Sequence, residues 1–171
     1  MSWQRTKIQL PKQFGPIERQ AIAQEVIDFI VKRSQSGKDI NNNPFPKYSS
    51  SYTNSLNFKI AGKSKAKVDL TLSSEMLNSI ELLSHKSGEI LVGFDKSDKE
   101  LNGKAEGNQL GTYGKSSPIR GKARPFLGIS EADLKAITKK YEKSDQRAEK
   151  VLTAASEADS LASGIEFDPE N

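Results

Sequence analysis

Apolar residues recur at Ile22, Val26, Phe29 and Ile30, spaced i, i+4, i+7 and i+8, and Ile17, Ala21, Ile27 and Val31 widen the stripe. This period predicts an amphipathic helix over 16–34. Pro16 suits a first helical turn, where its missing N–H is no loss. The acids Glu18 and Glu25 precede the bases Lys32 and Arg33, as the helix dipole prefers. The pattern ends near 34–37.

From 37 to 54 the sequence turns to Asn, Pro, Ser and Tyr. Pro44 and Pro46 remove backbone donors and bias their neighbours towards extended geometry, so the stretch reads as a loop. At about 18 residues it is long against the usual ~4–6, and loops of that kind are functional or disordered. Phe45, Tyr48 and Tyr52 within it argue for docking against something. Alternation follows: Leu56, Phe58 and Ile60, a Gly62-Lys63-Ser64 turn, then Val68, Leu70 and Leu72, which predicts a hairpin with one apolar face.

A second hairpin is predicted from Leu77, Ile80 and Leu82, a His85-Lys86-Ser87-Gly88 turn, and the return Ile90-Leu91-Val92-Gly93-Phe94. The mixed period over 75–83 leaves a helical turn at its start open. Positions 95–107 are polar around a lone Leu101 and suit a short exposed helix, and 107–128 is rich in Gly and Pro. Ser130-Glu131-Ala132-Asp133 has the spacing of a capping box, with Ile129 and Leu134 placed as a hydrophobic staple. Leu134, Ile137 and Tyr141 then form the buried stripe of a last helix, 130–142. The expected fold is α+β: an antiparallel sheet of about four strands packed with an N-terminal and a C-terminal helix, with long loop arms.

Charge divides the chain unevenly. The 171 residues carry 26 Lys+Arg and 22 Asp+Glu, a net +4. Positions 1–150 hold all 26 bases and 17 acids, a charge of +9, while 151–171 hold five acids and no base, −5. A single α+β domain over 1–145 with an acidic tail over 146–171, frayed or disordered, is the simplest reading, because like-charged and weakly apolar ends cannot repay the entropy of ordering. Two basic clusters stand out: Lys59, Lys63, Lys65 and Lys67, and then Lys115, Arg120, Lys122 and Arg124. They read either as a solvated hairpin and loop or as a surface that meets phosphates. Neither cluster interleaves aromatics as a base-stacking platform does.

Chemistry-bearing patterns are sparse. With no Cys and the single His85, a thiolate site, a cysteine nucleophile and a His-rich metal site are all out of reach. Gly62-Lys63-Ser64 and Gly114-Lys115-Ser116 mimic the end of a phosphate-binding loop, but the glycine required five positions earlier falls at Asn57 and at Gln109. Carboxylate pairs such as Asp95 with Asp98 lie in a polar segment with nothing to raise a carboxyl pKa. No enzyme, cofactor or metal is expected. No apolar run spans a membrane, and Met1-Ser2-Trp3-Gln4-Arg5 lacks the apolar stretch of a signal peptide, so a soluble protein made in a cytoplasm is expected.

In order and spacing the chain resembles the small virion proteins of tailed bacteriophages called virion morphogenesis, tail completion, head-tail joining or tail terminator proteins. Three stretches carry the resemblance. They are Asp39-Ile40-Asn41, Pro44-Phe45 and Tyr48-Ser49-Ser50-Ser51-Tyr52 in the long loop; Leu77-Asn78-Ser79-Ile80 with Ile90-Leu91-Val92-Gly93; and Ala105-Glu106-Gly107-Asn108-Gln109-Leu110-Gly111 with Ala123-Arg124-Pro125-Phe126-Leu127-Gly128-Ile129-Ser130. The resemblance covers roughly 15–142. It implies a homo-oligomeric ring, commonly a hexamer, at the neck or upper tail end of a virion assembled in the host cytoplasm. The partners implied are neighbouring neck, connector and tail tube proteins, with DNA passing through the lumen and no membrane. It further implies that Pro44, Phe45, Tyr48, Tyr52, Gly107, Gly111, Arg124, Pro125, Phe126 and Leu127 serve a subunit or neck-tail interface. Arg124 would fix the loop through a carboxylate pair, and Lys59, Lys63, Lys65, Lys67, Lys115, Arg120 and Lys122 would face the lumen. Terminator and joining roles both stay open, and a basic nucleic-acid-binding module is the alternative from another class.

Overall fold

A computed structural model describes residues 2–70, 75–113 and 119–142. The chain divides into two compact units, Met1–Leu134 and Lys135–Asn171.

The first unit is built on helix α1 (Pro16–Gln35), close to its expected bounds. The Gly15 amide donates to Glu18 Oε2 at 2.6 Å, which closes the helix start that Pro16 enters. Ile22, Ala23, Val26, Ile27 and Ile30 are buried where α1 packs on strands β2 (Glu81–Lys86) and β3 (Glu89–Gly93). These form an antiparallel sheet with β1 (Arg5–Gln9), in the order β1-β3-β2. The central strand has the strongest apolar signal: Ile90, Val92 and the adjoining Phe94 alternate inward and are fully buried. The β2–β3 turn is tighter than expected, since His85 and Lys86 pair with Ile90 and Glu89 and leave only Ser87 and Gly88 to reverse the chain.

The α+β class stands, but the main sheet has three strands rather than about four. Strand β1 was not expected because Arg-Thr-Lys-Ile-Gln offers one buried side chain, Ile8, which is all that an edge strand requires. It is tied down by polar bonds: Trp3 Nε1 donates to the Phe94 carbonyl at 2.7 Å, and the Gln4 amide donates to Asn102 Oδ1 at 2.7 Å. The long loop carries one short helix, α2 (Ser50–Thr53), and the first arm of the hairpin expected over 56–72 is replaced by another, α3 (Leu56–Ile60), followed by irregular backbone over 61–70, while 71–72 lie outside the described residues. Positions i, i+2 and i+4 share one face of a strand, whereas in a helix i and i+4 share a face and i+2 lies opposite. Ser55 tips the choice by capping α3, its hydroxyl accepting from the Phe58 amide at 3.3 Å.

After α4 (Glu75–Asn78) and the hairpin, the polar stretch forms α5 (Lys99–Leu110), started by Asp98, whose carboxylate accepts from the Leu101 amide at 2.9 Å. It is longer and less exposed than expected, with Asn102, Ala105 and Gly107 buried. Gly107 is therefore a helix-interior residue and not part of a loop arm. The helix stops at Gly111, which has φ +70 and whose Cβ, if present, would lie 2.5 Å from the Gly121 carbonyl oxygen, so only glycine fits. A small antiparallel ladder, β4 (Thr112–Tyr113) with β5 (Ile119–Arg120), follows.

The last helix, α6, covers 131–142. Ser130 Oγ accepts from the Asp133 amide at 3.2 Å and donates to Asp133 Oδ2 at 2.6 Å, so the carboxylate answers the hydroxyl instead of the backbone. In the second unit, positions 135–142 are helical with Ile137 and Thr138 buried. The expected acidic tail lies outside the described residues. Among the described residues no helix is long and apolar enough to cross a membrane.

Candidate interaction surface

The long loop is an ordered arm. Leaving α1, the chain turns at Gly37, with φ +86, and a Cβ there would come within 2.9 Å of the Val68 carbonyl oxygen. Asp39 Oδ1 then accepts from the amides of Asn41 at 2.9 Å and Asn43 at 2.8 Å, and the Phe45 amide returns to the Gly37 carbonyl at 2.7 Å. The Asp39 carboxylate thus supplies local bonds to backbone amides that a strand would otherwise pair.

Two buried arginines fasten the segment 124–127, Arg124 to this arm and Arg33 to α1. Arg124 donates to the backbone carbonyls of Pro46 at 3.1 Å and Lys47 at 3.3 Å, and its guanidinium lies 5.2 Å from the Tyr48 ring centroid. Both of these hydrogen-bond partners are backbone carbonyl oxygens of the arm. Arg33 donates to the Phe126 carbonyl and stacks 5.6 Å over Phe29. Burial pushes the Arg33 pKa down, opposed by the carboxylates of Asp133 and Asp39. From α5, Gln109 Oε1 accepts from the Phe126 amide at 2.6 Å and the Leu127 amide at 3.2 Å, and Phe126 meets Phe94 edge to face.

Farther along the arm, Tyr48, Tyr52 and Phe58 form a triangle of rings with centroids 5.0, 5.7 and 5.3 Å apart. Lys63 caps it. Its Nζ donates to Tyr48 Oη at 3.1 Å and lies 2.8 Å from Asp69 Oδ1. Burial works to lower the Lys63 pKa, but the bonds to Asp69 and Tyr48 outweigh it and leave the pKa raised. Burial raises the Tyr52 pKa, and the neighbouring Lys63 charge offsets part of that.

The expected interface residues consequently divide. Phe45, Arg124, Phe126 and Leu127 are buried within the chain itself. Gly107 and Gly111 are also buried, Tyr48, Tyr52 and Pro125 are half-buried, and Pro44 is exposed. Of the expected basic residues, Lys59, Lys65, Lys67 and Lys122 are exposed, and no carboxylate pairs with them among the described residues. Lys63 is instead an internal ion-pair member, because its neighbour Asp69 is close enough to hold it. Arg120 lies in β5, its backbone opposite Thr112. Lys115 falls outside the described residues.

What the pattern reading missed is the outer face of α3. With Phe58 turned into the ring triangle, Leu56 and Ile60 stand 70% and 75% exposed beside the exposed Lys59. A signal for this existed in Ser49 and Ser55, each a helix cap placed three residues before an aromatic. The arrangement as a whole is a braced arm presenting an apolar pair in a basic setting. Among the described residues no group of three or more His, Cys, Asp or Glu side chains is placed to hold a metal ion. Compared with family models, curated proteins and solved structures, the chain matches none.

Proposed function

We propose that the chain is a structural virion protein of a tailed phage, forming a homo-oligomeric ring at the neck or upper end of the tail. The observation that carries this reading is the exposed Leu56 and Ile60 face on a helix held in place by buried Phe58, the Lys63–Asp69 pair and the Arg124 clamp. Two large apolar side chains fixed in water cost a monomer free energy, and in a subunit that meets a copy of itself they become the anchor of a contact. The family resemblance supplies the setting, a ring between connector and tail tube proteins with DNA passing its lumen. Exposed Lys59, Lys65, Lys67 and Lys122 suit weak contact with such DNA. The test is the mass of the purified protein together with images of particles carrying a labelled chain. A ring in either supports the reading; a strictly monomeric protein absent from the neck and tail overturns it.

The same exposed lysines favour a second reading, a nucleic-acid-binding module. Engagement of all four would make the logarithm of DNA affinity fall with log salt at a slope of about −3 to −4. Tight binding with that slope favours the module, and weak, transient binding favours the ring.

A further inference from the structure

The outer face of α3 is apolar at its centre and basic around it. At about 100° of helix per residue, Leu56 and Ile60 project together, with Lys59 on one flank of the pair and Asn57 on the other, all four exposed. Positions 54–68 hold four lysines and no acid. Of these, Lys59, Lys65 and Lys67 are exposed, with no carboxylate paired to them among the described residues. The occupant such a face selects is apolar at two points and acidic around them.

The chain itself holds a stretch of that kind. Positions 151–171 carry five acids and no base, and three of the five fall in 164–170, where Ile165 and Phe167 alternate with Glu166 and Asp168 ahead of Glu170. Pro169 biases Asp168 before it towards extended geometry. In an extended stretch i and i+2 share one side at a step of about 6.7 Å, close to the ~6 Å rise between i and i+4 of a helix. Ile165 and Phe167 therefore match the step of Leu56 and Ile60. We infer that segment 164–170 docks on the α3 face of a neighbouring copy, Ile165 and Phe167 over Leu56 and Ile60, the acids among Lys59, Lys65 and Lys67. The inference rests on the ring reading for its neighbour and goes beyond it in naming the two surfaces. The 22 positions 143–164 separate α6 from the segment. They reach about 25 Å as a flexible coil and about 33 Å as a helix, well past the roughly 14 Å radius of gyration of a unit the size of Met1–Leu134. Seven residues on one short helix bury less than the roughly 1,200–2,000 Å² of a stable complex, so each contact is weak singly.

The chain has no cysteine, so introduced pairs report cleanly. Asn57→Cys and Gly164→Cys leave both apolar pairs intact. Full-length single variants, mixed under mild oxidation, are expected to give a disulfide-linked heterodimer faster than the background mixture of Gln20→Cys with Gly164→Cys. Adding Ile165→Ser and Phe167→Ser to the Gly164→Cys chain should slow the cross-link about ten-fold or more. An unchanged rate there would show that charge alone draws the copies together, and overturns the docking. Adding Lys65→Glu and Lys67→Glu to the Asn57→Cys chain should also slow it, at unchanged circular dichroism, and Glu166→Lys with Asp168→Lys on the Gly164→Cys chain should restore it. Cross-linking no better than background, a charge reversal that fails to restore it, or a disulfide that forms only within one chain carrying both cysteines overturns the docking. If the wild-type chain still forms rings in that case, the ring reading survives alone; heterodimers from a chain that never closes into rings keep the docking and remove the ring.

Discussion

The Lys63 ammonium lies 2.8 Å from Asp69 Oδ1, with the lysine side chain 5% exposed and the aspartate 26% exposed. A residue that looks like part of a basic face is thus an internal strut joining the ring triangle of the arm to the segment that follows it. Replacing Lys63 by Met keeps the stem and deletes the charge, leaving Asp69 partly desolvated without this partner. The expected cost is about 1.5–3 kcal/mol, the worth of a hydrogen bond to a charged group, measured by urea unfolding.

The same pair gives an alkaline signature. The folded pKa of Lys63 is raised above its unfolded value, so the stability it contributes is complete below about 10.4 and is lost as pH rises through the folded pKa. The difference in unfolding midpoint between wild type and Lys63→Met should stay constant from neutral pH to near 10 and shrink above it. A difference that instead grew above that point would contradict the pairing.

Arg124 holds two carbonyls of the arm with a planar fork that a lysine cannot reproduce. Arg124→Lys should free the arm locally: hydrogen exchange at the Phe45 amide, bonded to the Gly37 carbonyl, should accelerate while the β3 amides keep their protection. Equal loss of protection in both places would show that Arg124 supports the whole core.

Phe126 is fully buried against Phe94. Phe126→Ala should cost about 3–5 kcal/mol of subunit stability, visible in dilute protein at any state of assembly. A variant with unchanged unfolding but impaired assembly would return Phe126 to the interface role the family resemblance implies.

Asn102 is buried, accepts from the Gln4 amide and donates to the carbonyls of Asp95 and Asp98, each at 2.7 Å. Asn102→Ala removes the Gln4 amide's acceptor, while the Asp95 and Asp98 carbonyls keep the backbone amides of Asp98 and Asn102, and should destabilise the chain by about 1–3 kcal/mol. Proteolysis near the N-terminus should quicken as β1 detaches.

Much of this fold was legible from periodicity. Helix α1 and strand β3 bury long apolar stripes whose periods differ, so neighbours along the chain suffice to identify them. The Ser130 cap is likewise local, a hydroxyl and an amide three residues apart. Strand β1 was not legible because an edge strand with one buried side chain has almost no period; its stability comes from β3, Phe94 and Asn102, all distant in sequence.

The candidate surface divides in the same way. The residue types of the arm, its prolines, tyrosines and lysines, are properties of the sequence, as are the +9 body and the absence of thiol chemistry. Whether Leu56, Phe58 and Ile60 share a face was not, because i, i+2, i+4 fits one side of a strand and two sides of a helix equally well. The capping serines made the helix, and the rings of Tyr48 and Tyr52 then took Phe58 inward. Only the folded chain decides that Lys63 is paired with Asp69 and that Leu56 and Ile60 stay exposed, since burial depends on what the rest of the chain brings alongside.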